Sequence, residues 1–237
     1  MFKYLSLAVI LGAACAAQAA SVELQPRNPL CTERNGYFSV EGKCDSYIEC
    51  RDFSANEMLC PDGLHYNPRA AWPDYPCGYP SDVSCEGRGV PQPALPTAEC
   101  PHEYGFFPSQ LAQPEAGHCG QYRMCVAGVA IEMMCPPGLA FNPDNARCDW
   151  PDLVPSCKVE AYLGFQCPPA PLGENGEPLE VVNYKFEDNC YAFYSCEHGK
   201  PRLLSCDEGL AFDAASGHCV DADKVACAGN KAPFVVA

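Results

Sequence analysis

Basic side chains are scarce in this sequence of 237 residues: Lys and Arg total 15 against 30 Asp and Glu, a formal charge of −15. Nucleic-acid binding needs a basic footprint that displaces counterions, so that class is excluded. An anionic membrane surface or a sulfated glycan is excluded as partner on the same ground. Threonine is rarer still, with only Thr32 and Thr97, which rules out a mucin-like stalk. No Asn-x-Ser/Thr sequon occurs, so N-glycosylation is not expected. Neither Gly-x-Ser-x-Gly nor His-Glu-x-x-His is present. The histidines (65, 102, 118, 198 and 218) show no ligand spacing, and no Cys-x2-Cys pair exists. Zinc and other metals or cofactors therefore have no basis in the sequence. His118 and His218, each just before a Cys, are expected to be exposed. No stretch carries a capped 3.6-residue apolar period, so little helix is expected.

Cysteine, proline and glycine are abundant instead: 19 Cys, 24 Pro and 19 Gly. Such cysteine density points to an oxidising compartment and a disulfide framework. Residues 1–20 read as a secretory signal peptide. Lys3 supplies the positive start, Leu5 to Ala17 the apolar stretch, and Ala17-Gln18-Ala19 the small-residue cleavage site. That apolar run is short of the roughly 20 residues that a spanning helix needs. The expectation is a secreted, extracellular chain with no membrane partner. Loss of Cys15 with the leader leaves an even number of cysteines.

The remaining cysteines fall into three sixes: Cys31, Cys44, Cys50, Cys60, Cys77, Cys85; Cys100, Cys119, Cys125, Cys135, Cys148, Cys157; and Cys167, Cys190, Cys196, Cys206, Cys219, Cys227. The intervals are 12-5-9-16-7, 18-5-9-12-8 and 22-5-9-12-7. The unchanged 5-9 centre marks an internal repeat. An aromatic recurs between the second and third Cys (Tyr47, Tyr122, Phe193). A Gly-Leu-x-aromatic-Asn/Asp run follows the fourth, at Gly63 to Asn67, Gly138 to Asn142 and Gly209 to Asp213. Modules one and two share Gly36-Tyr37-Phe38 and Gly105-Phe106-Phe107, and carry Tyr79 or Trp150 two places after the fifth Cys. Module three has Val220-Asp221 there, with no aromatic.

The resulting organisation is module one at 28–86, a Pro-containing linker at 87–97, module two at 98–158, a linker at 159–165, module three at 166–229 and a tail at 230–237. The first linker, with Pro91, Pro93 and Pro96, is expected to be a semi-extended spacer that holds modules one and two apart. Domains this small rely on disulfides, because their hydrophobic burial is marginal. One bridge across a loop of about 15 residues contributes roughly 3 kcal/mol in the chain-entropy account. Hairpins are expected at Tyr122–Val126 with Val129–Cys135 and at Tyr191–Cys196 with Pro201–Cys206. A shorter one pairs Leu139–Asn142 with Cys148–Trp150, turning at Pro143-Asp144-Asn145. The fold class is small, disulfide-rich and mostly β: three tandem hairpin-based modules with little helix.

This combination of spacing, aromatic and Gly-Leu-x-aromatic-Asn run resembles the peritrophin-A, type 2 chitin-binding domain. Three such modules behind a signal peptide are similar to the arthropod cuticular proteins analogous to peritrophins, the obstructor and Gasp group. The segments Cys135 to Pro143, Cys148 to Asp152 and Ala161-Tyr162-Leu163-Gly164-Phe165 carry the closest likeness. The resemblance implies chitin binding in cuticle or another apical extracellular matrix. It also implies pairing of the first Cys with the third, the second with the sixth and the fourth with the fifth. Module one departs from the pattern with a longer loop containing Trp72 and Tyr75, which would reshape its binding loop. Module three lacks the late aromatic and is expected to bind weakly or to serve another role.

Chitin and N-acetylglucosamine oligomers are neutral, so charge cannot hold them. Flat aromatic faces can cover the apolar faces of the sugar rings, with a few polar groups for orientation. The candidate chitin-binding residues are Trp150, Tyr79, Tyr122, Tyr47 and Phe193, with Asp149, Asn142 and Asn67 as polar partners. Tyr66, Phe141 and Phe212 are expected in the small cores. Asn67 and Asn142 precede Pro, so turn formation competes with ligand contact. A glycosidase needs two carboxylates held on a rigid scaffold, and the three modules leave no length for one, so no enzyme is expected. A reading of a different class stays open: an extracellular scaffold that binds matrix proteins or glycoproteins instead of chitin, with other cuticle proteins as partners. A protease inhibitor is the third. The even count predicts nine disulfides within modules and no reactive thiol in the processed chain. Intact mass with and without alkylation checks this; a labelled thiol or an intermodular bridge would refute it.

Overall fold

The structure, a computed structural model, describes residues 29–113, 117–187 and 189–227. The expected leader and tail lie outside the described residues. Every module has the same plan, a three-stranded antiparallel sheet followed by a two-stranded hairpin. Module one contains β1 (Gly36–Ser39), β2 (Ser46–Arg51), β3 (Ser54–Leu59), β4 (His65–Tyr66) and β5 (Cys77–Gly78). Module two contains β6 (Gly105–Pro108), β7 (Gln121–Val126), β8 (Val129–Met134), β9 (Ala140–Asn142) and β10 (Arg147–Asp149). A short α-helix, α1 (Val159–Leu163), precedes module three with β11 (Val181–Lys185), β12 (Ala192–Glu197), β13 (Lys200–Ser205), β14 (Leu210–Asp213) and β15 (His218–Asp221).

The long hairpins of modules two and three form where the sequence places them, and module one holds a third that was not expected from the sequence. Their turns are Asp52-Phe53, Ala127-Gly128 and His198-Gly199, and both residues of each take positive φ. That is the type I′ geometry, whose twist matches the strands it joins. Asp52-Phe53 lacks a glycine and is held from outside: Phe53 N–H donates to Arg34 O and Asp52 N–H to Asn35 Oδ1, both at 2.9 Å. The first strands, β1, β6 and β11, were not expected from the sequence. They are too short for an alternating pattern to show, and they are fixed by pairing with β2, β7 and β12.

All nine bridges follow the first–third, second–sixth, fourth–fifth order. They are Cys31–Cys50, Cys44–Cys85 and Cys60–Cys77 in module one; Cys100–Cys125, Cys119–Cys157 and Cys135–Cys148 in module two; Cys167–Cys196, Cys190–Cys227 and Cys206–Cys219 in module three. Each long hairpin is thereby tied to the chain before it and to the chain after it.

The modules are not beads on a spacer. Asp62, with 2% of its side chain exposed, accepts hydrogen bonds from Leu95 N–H (2.7 Å), Glu103 N–H (3.1 Å) and His102 Nδ1 (2.7 Å). Its carbonyl accepts Tyr104 N–H at 3.0 Å. Asp45 accepts Gln92 N–H at 2.6 Å, and Gln92 Nε2 donates back to Cys60 O at 2.7 Å. Two buried carboxylates of module one thus hold the linker down and draw the start of module two against them. The spacer expected at 87–97 is corrected accordingly. A Pro-rich composition predicts extension, but it does not see partners dozens of residues away.

The second junction uses different chemistry. Tyr162 on α1 donates to Leu139 O at 2.7 Å, and Tyr194 of module three donates to Leu163 O at 2.8 Å. Phe165 stacks on Tyr194 with ring centres 4.1 Å apart. Arg202 on β13 grips Asp152 of module two through two bonds, 2.9 and 3.0 Å, the strong fork geometry for a carboxylate. No helix among the described residues is long and apolar enough to cross a membrane.

Both junctions hold carboxyl groups whose pKa is lowered. The Arg202 hydrogen bonds hold the Asp152 carboxyl below its ordinary range. Burial alone would raise Asp62, but His102 and the Leu95 and Glu103 N–H groups outweigh it and hold Asp62 low as well. A carboxyl lowered on folding stabilises the fold above its unfolded pKa, about 3.9, and that contribution disappears as pH falls through the lower folded value. The second junction should therefore loosen below about pH 4 while the disulfide-stapled modules persist. Arg202 lies 5.3 Å over the Trp150 ring, so Trp150 fluorescence in a Trp72→Phe background reports the change. Arg202→Met should remove the acid step; an identical step in that variant would refute the assignment.

Candidate functional site

Two rings stacked face to face occur in each module, and both belong to the repeated motifs. Tyr47 stacks on Tyr66 (5.2 Å), Tyr122 on Phe141 (5.0 Å) and Phe193 on Phe212 (4.9 Å), all within 15° of parallel. The aromatic between the second and third Cys therefore lies against the one in the Gly-Leu-x-aromatic run. Tyr66, Phe141 and Phe212 are the buried members, as expected of core rings. Tyr47 is buried too, at 6% exposed, with Tyr37 edge-on against it. It has no free face for a sugar, so its place among the binding candidates is corrected. Its counterparts Tyr122 and Phe193 keep partial exposure.

The polar candidates are engaged in turns. Asn67 Oδ1 accepts Arg69 N–H at 3.0 Å, and Asn142 Oδ1 accepts Asp144 N–H at 3.1 Å. These are Asx-turns, the alternative that their position before Pro allowed. Asp149 Oδ1 accepts Trp150 N–H at 2.8 Å, and its Oδ2 lies 3.4 Å from Asn142 and Asn145 Nδ2. Asp149 thus ties the two strands of the short hairpin and sets the direction in which Trp150 leaves it.

Tyr79 and Trp150 are partly exposed, each at a module junction, and Tyr79 packs with one side against the module-one core. Tyr79 meets Phe106 of module two at 4.8 Å, rings tilted by 49°. They line a groove of about 460 Å³ together with Phe107, His102 and Asn145. Trp150, beneath the Arg202 guanidinium, lines a second groove of about 350 Å³ with Leu203 and Leu204 of module three. Phe106 and Phe107 were not among the site residues expected from the sequence, although their shared Gly-aromatic-Phe run was a visible signal. Trp72 in the long loop of module one folds back on Tyr37 (5.3 Å) and beneath Arg51 (5.3 Å).

One cluster has metal-type side chains, Cys44, His65 and Cys85. Its two sulfurs form a disulfide, and His65 Nδ1 is bonded to Val83 O at 2.7 Å. A metal needs thiolates, so these residues do not form a metal site.

The family described as the chitin binding peritrophin-A domain matches residues 31–85, 100–157 and 178–227. The chain belongs to the peritrophin-A family. Among curated proteins, protein obstructor-E of Drosophila melanogaster is 40% identical over 219 residues, covering 89% of this chain and 85% of that protein. Peritrophin-1 of Anopheles gambiae is 34% identical over 116 residues, 47% of this chain and 72% of that protein. A probable chitinase 10 of Drosophila melanogaster is 22% identical over 232 residues, but those are only 10% of its length.

In module two the stacked pair lies in the core while Trp150 is partly exposed at the junction, so the two should separate on mutation. Phe141→Ala should cost about 3–5 kcal/mol, as expected of a large core truncation, read as a lower denaturant midpoint with the disulfides intact. Trp150→Ala should leave the midpoint of the modules within about 1 kcal/mol, as for a part-exposed substitution. Equal losses from the two would refute the division.

Proposed function

We propose that this chain is a secreted, non-catalytic chitin-binding protein that organises chitin in cuticle or a similar apical extracellular matrix. The observation that carries the reading is the succession of three peritrophin-A domains with junctions that fix neighbouring modules against each other. The likeness to obstructor-E along most of both chains supports a role without catalysis, and the chitinase match, confined to a tenth of that enzyme, supports it too. Tyr79, Trp150, Tyr122 and Phe193 are the aromatic contacts, and Asp149, Asn142 and Asn67 hold the surrounding loops. Three modules on one chain raise the local concentration of each for a repeating polymer to about the millimolar range, and they would let the chain bridge neighbouring fibrils.

Retention of the purified protein on chitin beads tests the reading. Stacking on a neutral sugar releases no counterions, so retention should persist at high salt and yield only to denaturant. A protein-binding scaffold or a protease inhibitor would flow through. A steep loss with salt would point to deacetylated, cationic polymer meeting the acidic surface. Trp150→Ala should weaken retention by about 1–3 kcal/mol, the range for one lost stacking contact; unchanged retention would remove Trp150 from the site.

A further inference from the structure

We propose that the junction grooves, not the single modules, are the sites for an isolated N-acetylglucosamine chain, so that the three-module chain holds two such sites. The inference rests on the chitin-binding reading and concerns where on the chain a single sugar strand lies.

The repeat itself points to the junctions. Gly63, Gly138 and Gly209 occupy the same place in their modules, with φ of +89°, +86° and +82°. All three need the left-handed conformation, which glycine adopts without penalty. Among the described residues only the first two have neighbours there. A Cβ on Gly63 would clash with Tyr104 O, one on Gly138 would sit 3.0 Å from Leu203, and one on Gly209 would meet nothing within 4 Å. Among the described residues, the surface that a following module covers in modules one and two is therefore uncovered in module three. The late aromatic follows the same rule. Tyr79 and Trp150 are present where a following module supplies the opposite wall, and in module three Asp221, paired with Lys224, stands at that position.

The first groove has the composition that a neutral sugar strand requires. Tyr79 from module one and Phe106 from module two form its aromatic floor across the junction. Its volume lies within the range of small-ligand sites, about 300–1,000 Å³. Both buried carboxylates on its wall, Asp45 and Asp62, are already satisfied by linker and module-two donors, so they do not select a cation. His102 Nδ1 lies 2.7 Å from Asp62, which leaves Nε2 as the ring nitrogen available to a sugar hydroxyl. Ser81 and Asn145 add a hydroxyl and an amide at the edge.

Calorimetric titration of the full chain with the soluble hexamer of N-acetylglucosamine tests this. Binding should saturate at two hexamers per chain. Phe106→Ala and Tyr79→Ala, in different modules, should each weaken the same one of the two sites by tenfold or more, and the double variant should be little worse than either. If Phe106→Ala misfolds, Phe106→Leu keeps apolar volume, removes the flat face and should give the same loss. Three equivalent sites per chain, or hexamer binding unchanged by both substitutions, would overturn the proposal. Bead retention without hexamer binding would also overturn it, while leaving the chitin-binding reading intact. Loss of both would take down that reading as well.

Discussion

A module of some 55 residues cannot surround a large core, and the stacked pair of rings is what it buries instead. One ring stands on the long hairpin and the other on the short one, so their contact fixes the two hairpins against each other. The same stack recurs in all three modules with ring centres 4.9–5.2 Å apart. Disulfides bracket it. The fourth–fifth bridge closes the short hairpin, and the first–third and second–sixth bridges clamp the long one from both sides. An aromatic pair contributes about 0.5–1.5 kcal/mol beyond its area, and each bridge over such loops roughly 3 kcal/mol in the chain-entropy account. The cross-links therefore stabilise the module more than the stack does, and the stack gives them a single packed arrangement to hold.

What was legible in the sequence follows from range. The hairpins at Ala127-Gly128 and His198-Gly199 are local: a turn signal between apolar strands specifies them, and they formed there. The disulfide order was legible through likeness to a family, since spacing alone leaves many pairings open. The junctions were not legible. Asp62 meets residues 33 to 41 positions later, and Arg202 meets Asp152 across 50, and no local pattern announces such partners. The site was misread in part for the same reason. Tyr47 and Tyr122 occupy equivalent positions, yet module one crowds Tyr47 with Tyr37 and leaves it buried.

Fixed junctions change the physics of multivalency. A flexible linker leaves each module searching a volume, and its effective concentration falls as the linker lengthens. Here Asp45 and Asp62 hold the first linker, and Tyr162 and Phe165 hold the second. The ordering entropy is met on folding instead of on binding, which is preorganisation in its usual sense. A rigid row gains on a polymer whose repeat it matches and gains nothing on one it does not.

The charge distribution fits the same arrangement. Of the few basic groups, Arg202 and Arg147 both cross a junction, to Asp152 and to Asp82. Arg202 is thus partly buried between modules two and three, whereas the Arg147 pair lies at the surface, and the acidic excess faces solvent. Net charge of one sign keeps chains apart in solution, while a neutral sugar polymer feels none of that repulsion. On the proposed reading, the aromatic groups that would bind the sugar and the acidic groups that keep copies of the chain apart are different sets.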